Sequence, residues 1–198
     1  MIVLLTILSL ILGVLFGLTN PNLSIIQLIS SNTDYILYFL MFSVGVSVGM
    51  QKGIFSKFKL FNIHIFLVPL GTIIGSLLGG VICSLILKMP IAHGTAVAGG
   101  MGWYSLSGAT ISKMANAQLG SIAFMSNLLR EIFSFMLIPF LALKLNPYAC
   151  IACAGATSED TTLPVILKYT NEETVVLSVI NGVICSFFVP ILISLCLS

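Results

Sequence analysis

Apolar segments long enough to cross a bilayer follow one another along almost the whole chain, and they restrict the folds that it can adopt. A transmembrane helix needs about 20 consecutive, mainly apolar residues. Only 7% of the 198 residues are charged, whereas soluble domains carry about 25% charged residues. We therefore predict an all-α, polytopic membrane protein, and we expect no cofactor, no metal site and no nucleic-acid partner.

The glycine, proline and charged residues between these segments predict one membrane domain over residues 1–198. Continuous spans are predicted at 2–19, 35–50, 61–87, 117–145 and 174–197. Two further segments, 94–112 and 147–170, are interrupted by glycine, proline or polar residues. Because each glycine in a helix interior costs about 1 kcal/mol relative to alanine, we expect both to be broken helices.

The broken segments are either discontinuous spans or re-entrant hairpins. The loop 51–59 carries Lys52, Lys57 and Lys59 and is predicted to be cytoplasmic. If both segments cross the membrane, Lys113 is inside and Lys144 outside; if both re-enter, the two exchange sides. Non-helical backbone inside the membrane is tolerated where protein or a water-filled cavity surrounds it, as in the substrate sites of transporters.

A polar stripe marks the segment 117–145. Ser126, Asn127, Arg130, Glu131 and Ser134 fall within an arc of about 140° on a helix, so the arc is predicted to face the bundle interior. Asn127 precedes Glu131 by one turn and could hydrogen-bond to it. Arg130 and Glu131 point about 100° apart, so each needs its own partner, which is either a substrate or a charge on another helix.

The stretch GATSEDTTLP, residues 155–164, forms a second polar group. Ser158, Thr161 or Thr162 could cap a half-helix whose free N–H groups bind a carboxylate. Asp160 and Glu159 suit a cation. A capped loop at the membrane surface is the alternative. Anchors for a carboxylate and for an ammonium in one site indicate an amino acid as substrate. The residues that complete the predicted substrate site are Thr157, Trp103, Tyr104, Ser105 and Ser107.

Two smaller motifs are more typical of helix packing than of a binding or catalytic site. Gly71, Gly75 and Gly79 are four residues apart, a spacing that lets neighbouring helix backbones approach closely. Cys150 and Cys153 form a lone C-x-x-C motif, which is more typical of small buried residues than of a redox or zinc site.

The motifs GMGWYSLSG, LGSIAFMSNLLREIFSFMLIP and GATSEDTTLPV, in this order, resemble the LysO lysine exporter family from about residue 35 to the C-terminus. The resemblance implies export of L-lysine and its analogues across the bacterial plasma membrane, in exchange for protons. It places the intramembrane acid of the L-R-E motif at Glu131 and the aspartate of the G-A-T-S-x-D-x-T-L-P motif at Asp160, and we expect these two acids to couple lysine to protons. Glu159 departs from the family pattern, in which this position is variable and often methionine.

The resemblance also implies that single-chain members carry additional N-terminal spans. We expect a separate small membrane protein to supply them, or the chain to act as a homo-oligomer. A non-transporting structural half of a two-component exporter is one alternative. An intramembrane serine hydrolase, with His93 and either Ser105 or Ser107, is another; no G-x-S-x-G motif surrounds either serine, so we expect the chain not to be an enzyme.

Overall fold

The structure, a computed structural model, describes residues 64–198 and a few isolated positions before them: Leu8, Leu12, Leu15, Tyr35, Phe39, Phe42 and Val46. The predicted spans 2–19 and 35–50 and the loop 51–59 otherwise lie outside the described residues. Residues 1–47 and 48–198 form separate compact units. The single domain over 1–198 therefore stays a prediction, and the helices and contacts from residue 64 onward belong to the second unit.

Residues 64–198 fold into α-helices and one short 3₁₀ helix, without strands. In chain order the elements are α1 His64–Leu87, α2 Ile91–Ala98, α3 Tyr104–Met114, α4 Ala117–Lys144, α5 Pro147–Ala154, the 3₁₀ helix Gly155–Glu159, α6 Leu163–Tyr169 and α7 Glu172–Leu197. Within the described residues, α1, α4 and α7 are long and apolar enough to cross a membrane. The predicted all-α membrane fold is confirmed.

The starts of α4 and α7 are fixed by asparagine caps. The side chain of Asn116 accepts from the N–H of Leu119, and that of Asn171 accepts from the N–H of Thr174. Such a bond satisfies one of the N–H groups that a helix start leaves unpaired. The cap at Asn171 makes α7 begin two residues before the predicted span 174–197.

The first broken segment folds as a helical hairpin, which we call hairpin 1 (91–114). Its first arm, α2, runs antiparallel to α1, with Gly94 packed against Gly80. Its second arm, α3, runs antiparallel to α4, where Gly108 packs against Gly120 and Phe124. The chain therefore returns to the end of the bundle from which it entered, through a tip at 99–103.

The second broken segment forms hairpin 2 (147–169). Its first arm, α5, is antiparallel to α4, because Ser134 lies against Cys153 while Ile138 lies against Cys150. Its second arm, α6, returns to the same part of α4, where Ile166 joins Ile138 and Cys150 in one buried cluster. The tip spans residues 155–162.

The hairpins enter from opposite ends of the bundle. The Lys88 end contains Lys88, Lys113 and the C-terminus, whereas the Lys144 end contains Lys144 and Lys168. The start of α1 lies at the Lys144 end, because Val68 packs with Ile151 of α5. Both broken segments thus have the re-entrant arrangement. If the loop 51–59 is cytoplasmic as predicted, the Lys144 end is cytoplasmic too.

The close helix contact of α1 uses a different glycine from the predicted stripe. A Cβ atom on Gly80 would lie 2.7 Å from the carbonyl oxygen of Gly94, whereas one on Gly71, Gly75 or Gly79 would meet no described atom within 4 Å. Gly80 is turned about 100° from Gly79. Close packing at Gly71, Gly75 and Gly79 therefore does not occur against the described residues and otherwise stays a prediction, and Gly75 and Gly79 line a cavity.

Candidate functional site

The tips of the two hairpins meet at the centre of the bundle. The N–H of Ala156 donates to the carbonyl oxygen of Met101, at 2.9 Å. Gly102 and Gly155, with φ of 101° and 68°, adopt the left-handed backbone that glycine accepts most readily. A Cβ atom on Gly155 would also lie 2.5 Å from the Met101 oxygen. The contact between the tips therefore depends on glycine at this position.

The polar stripe of α4 faces this centre. Asn127, Glu131 and Ser134 are 3%, 1% and 1% exposed. On the opposite face, Phe133 and Met136 are 54% and 68% exposed. The predicted inward orientation of the stripe is confirmed for its buried members, whereas Ser126 is exposed and Arg130 is half-buried.

Asn127 holds the tip of hairpin 1. Its Oδ1 accepts from the N–H of Gly102 at 2.8 Å, and its Nδ2 donates to the carbonyl of Val97 at 2.9 Å. The same Nδ2 lies 3.0 Å from the Ala123 carbonyl and 3.3 Å from the Ser107 hydroxyl. The predicted hydrogen bond between Asn127 and Glu131 is therefore wrong, because the side-chain amide of Asn127 forms its hydrogen bonds with hairpin 1 and with the Ala123 carbonyl.

Asn181, in the middle of α7, holds the tip of hairpin 2 in the same way. Its Nδ2 donates to the carbonyl of Gly155 at 2.9 Å and to the hydroxyl of Ser158 at 3.0 Å. The sequence analysis did not select this residue. An amide within an otherwise apolar span is the signal that could have identified it, since polar groups at membrane depth need partners.

Glu131 is buried without a hydrogen-bond partner. Among the described residues, neither of its carboxyl oxygens has a partner, and the same is true of the buried hydroxyl oxygen of Thr161. Thr161, whose hydroxyl can donate a hydrogen bond to this carboxyl, and Asp160, whose carboxyl repels it, both lie close enough to interact with it. Glu131, Thr161 and Asp160 thus form one polar group, which we call the acidic site, between α4 and the tip of hairpin 2.

The two neighbouring acids of hairpin 2 have different surroundings. Asp160 is exposed and accepts a short hydrogen bond from the N–H of Thr161. Glu159 is half-buried against Gly182 of α7, and it accepts from the Ser186 hydroxyl at 2.9 Å. Glu159 is therefore tied to α7, while Asp160 belongs to the acidic site.

Arg130 lies beside Gly155 at the tip of hairpin 2 and is not part of the acidic site. Its guanidinium donates to the hydroxyl of Ser76 at 2.9 Å and to the carbonyl of Ala152 at 3.3 Å. Within residues 64–198, no carboxylate lies within ion-pair distance of it. Arg130 lines a cavity of about 360 Å³ between α1, α2 and α4. Glu131 does not line this cavity, so Arg130 faces the cavity and Glu131 faces the acidic site, on adjacent sides of α4 about 100° apart.

The backbone at the start of α6 differs from the prediction. The N–H groups of Thr162 and Leu163 already bond to the carbonyls of Thr157 and Asp160. The Thr162 hydroxyl donates to the Thr157 carbonyl instead of capping the helix. The predicted free N–H groups for a carboxylate at this half-helix are therefore wrong.

Two other predicted site residues of hairpin 2 have internal partners. The Thr157 hydroxyl donates to the Ala154 carbonyl at 3.0 Å. The Ser158 hydroxyl donates to the Ser178 carbonyl at 2.8 Å, and the Ser178 hydroxyl donates to the Ser158 carbonyl at 2.7 Å. Both residues shape the tip and attach it to α7.

The predicted residues of hairpin 1 lie at its tip and in the first turn of α3. Trp103 and Ser105 are half-buried at the start of α3, and the ring of Tyr104 stacks edge-on against Phe124 with centroids 5.3 Å apart. Ser107 is buried and accepts from Asn127.

His93 is half-buried in the first turn of α2, far along the hairpin arm from the tip. In the described part of the chain, no hydrogen bond joins it to Ser105 or Ser107. The dyad that a serine hydrolase requires is not assembled.

Comparisons with known proteins find relatives of similar sequence. The chain is 36% identical over 179 residues to "Lysine exporter LysO" of Escherichia coli (strain K12), a match that covers 90% of this chain and 59% of that protein. It is 36% identical over 159 residues to "Putative lysine exporter" of Haemophilus influenzae, covering 80% of each chain. No solved structure matches. The profile of the family "Lysine exporter LysO" matches residues 7–197, and the chain belongs to that family.

Proposed function

We propose that this chain exports L-lysine and close lysine analogues across the bacterial plasma membrane, in exchange for protons. The family and the names of its two relatives support lysine as the exported molecule. The observation that carries the mechanism is Glu131, a carboxyl that is 1% exposed and has no partner among the described residues.

An ionised carboxylate in such a place costs several kcal/mol unless a cation or hydrogen-bond donors compensate it. A proton and the ammonium group of lysine are two ways to remove that cost. Because they compete for the same oxygens, the site holds one or the other. When lysine leaves the site on one side of the membrane and a proton enters it from that side, the protein exchanges lysine for a proton.

The acidic site suits a primary ammonium. An –NH₃⁺ group has three donors and no acceptor. Glu131, Thr161 and Asp160 offer acceptor oxygens in one place, and those of Glu131 and Thr161 are unused. We assign Glu131 and Asp160 to proton coupling as well as to ammonium binding, with Thr161 as the neutral ligand.

The carboxylate of lysine needs a different partner, and Arg130 is the group that supports this role best. It lacks a carboxylate partner within the described residues, lines the cavity beside α1, and keeps donors that its bonds to Ser76 and Ala152 do not use. The half-buried tip residues Trp103, Tyr104 and Ser105 are proposed to contact the rest of the substrate. Asn127, Thr157, Ser158 and Ser107 hold the tips in place around it.

The chain spans 59% of the length of its Escherichia coli relative. We propose that a separate small membrane protein, or a second copy of this chain, completes the transporter in the bilayer. The alternative is a structural half that does not transport. Reconstituting the purified chain alone into liposomes identifies a homo-oligomer, because only a chain completed by its own second copy releases trapped lysine without an added partner.

The function is tested in cells fed a lysine-containing dipeptide, with intracellular lysine as the readout. Glu131→Gln removes the charge at constant shape, and we expect lysine to accumulate. Glu172→Gln is the matched control, because Glu172 is exposed in the first turn of α7. Export by an inserted Glu131→Gln protein at the level of the control would refute the proposal.

A further inference from the structure

Two asparagines occupy equivalent places in the two halves of this bundle. Asn127 lies on α4, the long helix that follows hairpin 1, and Asn181 lies on α7, the long helix that follows hairpin 2. Each follows the asparagine that caps its helix, Asn116 or Asn171, by about three turns. Each directs its side chain to the tip of the preceding hairpin.

We propose that Asn127 and Asn181 are a pair of positioning residues, the anchor asparagines, each of which keeps one hairpin closed over the transport site. Release of Asn127 would let hairpin 1 open toward the Lys88 end. Release of Asn181 would let hairpin 2 open toward the Lys144 end. This inference rests on the proposed transport function and adds to it the two gates and the residue that controls each.

The hydrogen bonds at Asn127 support the first gate. The amide binds both sides of the hairpin 1 tip, the Val97 carbonyl before it and the Gly102 N–H within it. Asn127 is 3% exposed, so no water replaces these bonds while the hairpin is closed. Among the described residues, losing them leaves the bond between Met101 and Ala156 as the tip's hydrogen bond to another element, beside the packing of Gly102 against Thr157.

The hydrogen bonds at Asn181 support the second gate in the same way. The amide binds the Gly155 carbonyl and the Ser158 hydroxyl, at the start and in the middle of the hairpin 2 tip. Ser178, one turn earlier on α7, adds two bonds to Ser158. Asn181 is fully buried, and the Thr72 hydroxyl of α1 lies 3.4 Å from its Oδ1.

The opposed entry of the hairpins gives the two gates opposite directions. Hairpin 1 connects the central site to the Lys88 end, and hairpin 2 connects it to the Lys144 end. If both were released at once, a continuous path would cross the bilayer, so exchange requires that they open in turn. The hydrogen bond between their tips is the contact through which one closed hairpin supports the other.

Labelling of cysteine by a membrane-impermeant maleimide tests the inference. Cys150 and Cys185 are buried and can remain, while Cys83 and Cys196 are replaced by serine. Cys153, next to the tip of hairpin 2, reports on that hairpin. For hairpin 1 the reporter is Ser105→Cys, combined with Cys153→Ser. Reagent is added to intact cells or to inside-out vesicles, so that each end of the bundle is probed separately.

We expect Asn127→Ala to raise labelling of the hairpin 1 reporter from the Lys88 end about tenfold, the fold-change that corresponds to about 1.4 kcal/mol. We expect Asn181→Ala to raise labelling of Cys153 from the Lys144 end by a similar factor. The caps supply matched controls, because Asn116→Ala and Asn171→Ala change the same residue type on the same helices without touching a tip. If an alanine variant fails to insert, Asn127→Asp or Asn181→Asp keeps the volume and removes the donors.

Unchanged labelling, equal labelling from both ends, or the same rise in the cap variants would overturn the inference. The assay does not use lysine, so its outcome is separate from that of the export assay. Export without side-specific labelling refutes the anchor asparagines alone. Side-specific labelling in a chain that exports no lysine refutes the proposed function and leaves the two anchored hairpins.

Discussion

The backbone N–H of Ala156 donates to the carbonyl oxygen of Met101 at 2.9 Å, and this bond joins two hairpins that enter the bundle from opposite ends. Met101 has a φ of 47° and is fully buried. A non-glycine residue in this region costs of order 1–3 kcal/mol and persists where its surroundings fix it. The tip contact is therefore a strained point beside the acidic site, held in place by the helices around it.

Gly155→Ala is expected to break this contact. The new Cβ atom would lie 2.5 Å from the Met101 oxygen and 2.9 Å from Nη2 of Arg130, in a backbone with a φ of 68°. We expect the free energy of unfolding to fall by more than about 1 kcal/mol and lysine efflux to be lost. Thermal unfolding in detergent and efflux from liposomes are the measurements. Gly71→Ala, where the new Cβ atom meets no described atom within 4 Å, is the control, and equal behaviour of the two variants would contradict the prediction.

Thr161→Val tests the neutral ligand of the acidic site. It removes a buried hydroxyl that has no partner among the described residues and retains the shape of the side chain. We expect the KM for lysine to rise about tenfold, the effect of one hydrogen bond to a charged group. Thr161→Ser keeps the hydroxyl and should retain nearly full affinity. Equal KM values for the valine and serine variants would exclude Thr161 as a ligand.

Arg130→Gln tests the carboxylate partner with two substrates. Lysine has a carboxylate, whereas 1,5-diaminopentane has the same chain and ammonium groups without one. We expect the variant to lose lysine transport by tenfold or more and to transport the diamine as the unmodified protein does. Uptake of both compounds into inside-out vesicles is the measurement. If both fall equally, Arg130 acts through its bonds to Ser76 and Ala152, which join α4 to α1 and α5.

His93→Ala separates transport from hydrolysis. His93 lies in the first turn of α2 and makes no hydrogen bond to Ser105 or Ser107 in the part of the chain that the structure describes. We therefore expect lysine export within about twofold of the unmodified protein, since most exposed or half-exposed substitutions have small effects. A loss of export together with loss of a peptidase activity would support the hydrolase instead.

Local patterns predicted the elements well because helix propensity and caps act over a few residues. The span 117–145 matches α4, since Asn116 caps its start and its apolar face is continuous. The break at 99–103 follows from the closely spaced Gly99, Gly100 and Gly102, whereas the break at 155–162 follows from Gly155 and the polar residues after it. The inward face of α4 followed from the spacing of Asn127, Glu131 and Ser134.

Local sequence patterns could not predict the direction in which each hairpin arm runs. Whether α3 continues away from α2 or turns back depends on its contact with α4, where Gly108 meets Gly120. Those residues are distant from α2 in the chain, and the same sequence break fits a span or a hairpin. The partner of Asn127 was missed for the same reason: Gly102 lies in another element, whereas Glu131 is one turn away and was the obvious local partner.

The central claim is that Glu131 carries either a proton or the ammonium of lysine, and proton movement driven by lysine tests it most directly. Liposomes containing the protein, with any partner it requires, are loaded with lysine and a pH-sensitive dye and diluted into lysine-free buffer. We expect lysine efflux to acidify the interior of liposomes with the unmodified protein and with Glu172→Gln, and Glu131→Gln to show neither efflux nor acidification. Acidification by an inserted Glu131→Gln protein at the rate of the control would contradict the account.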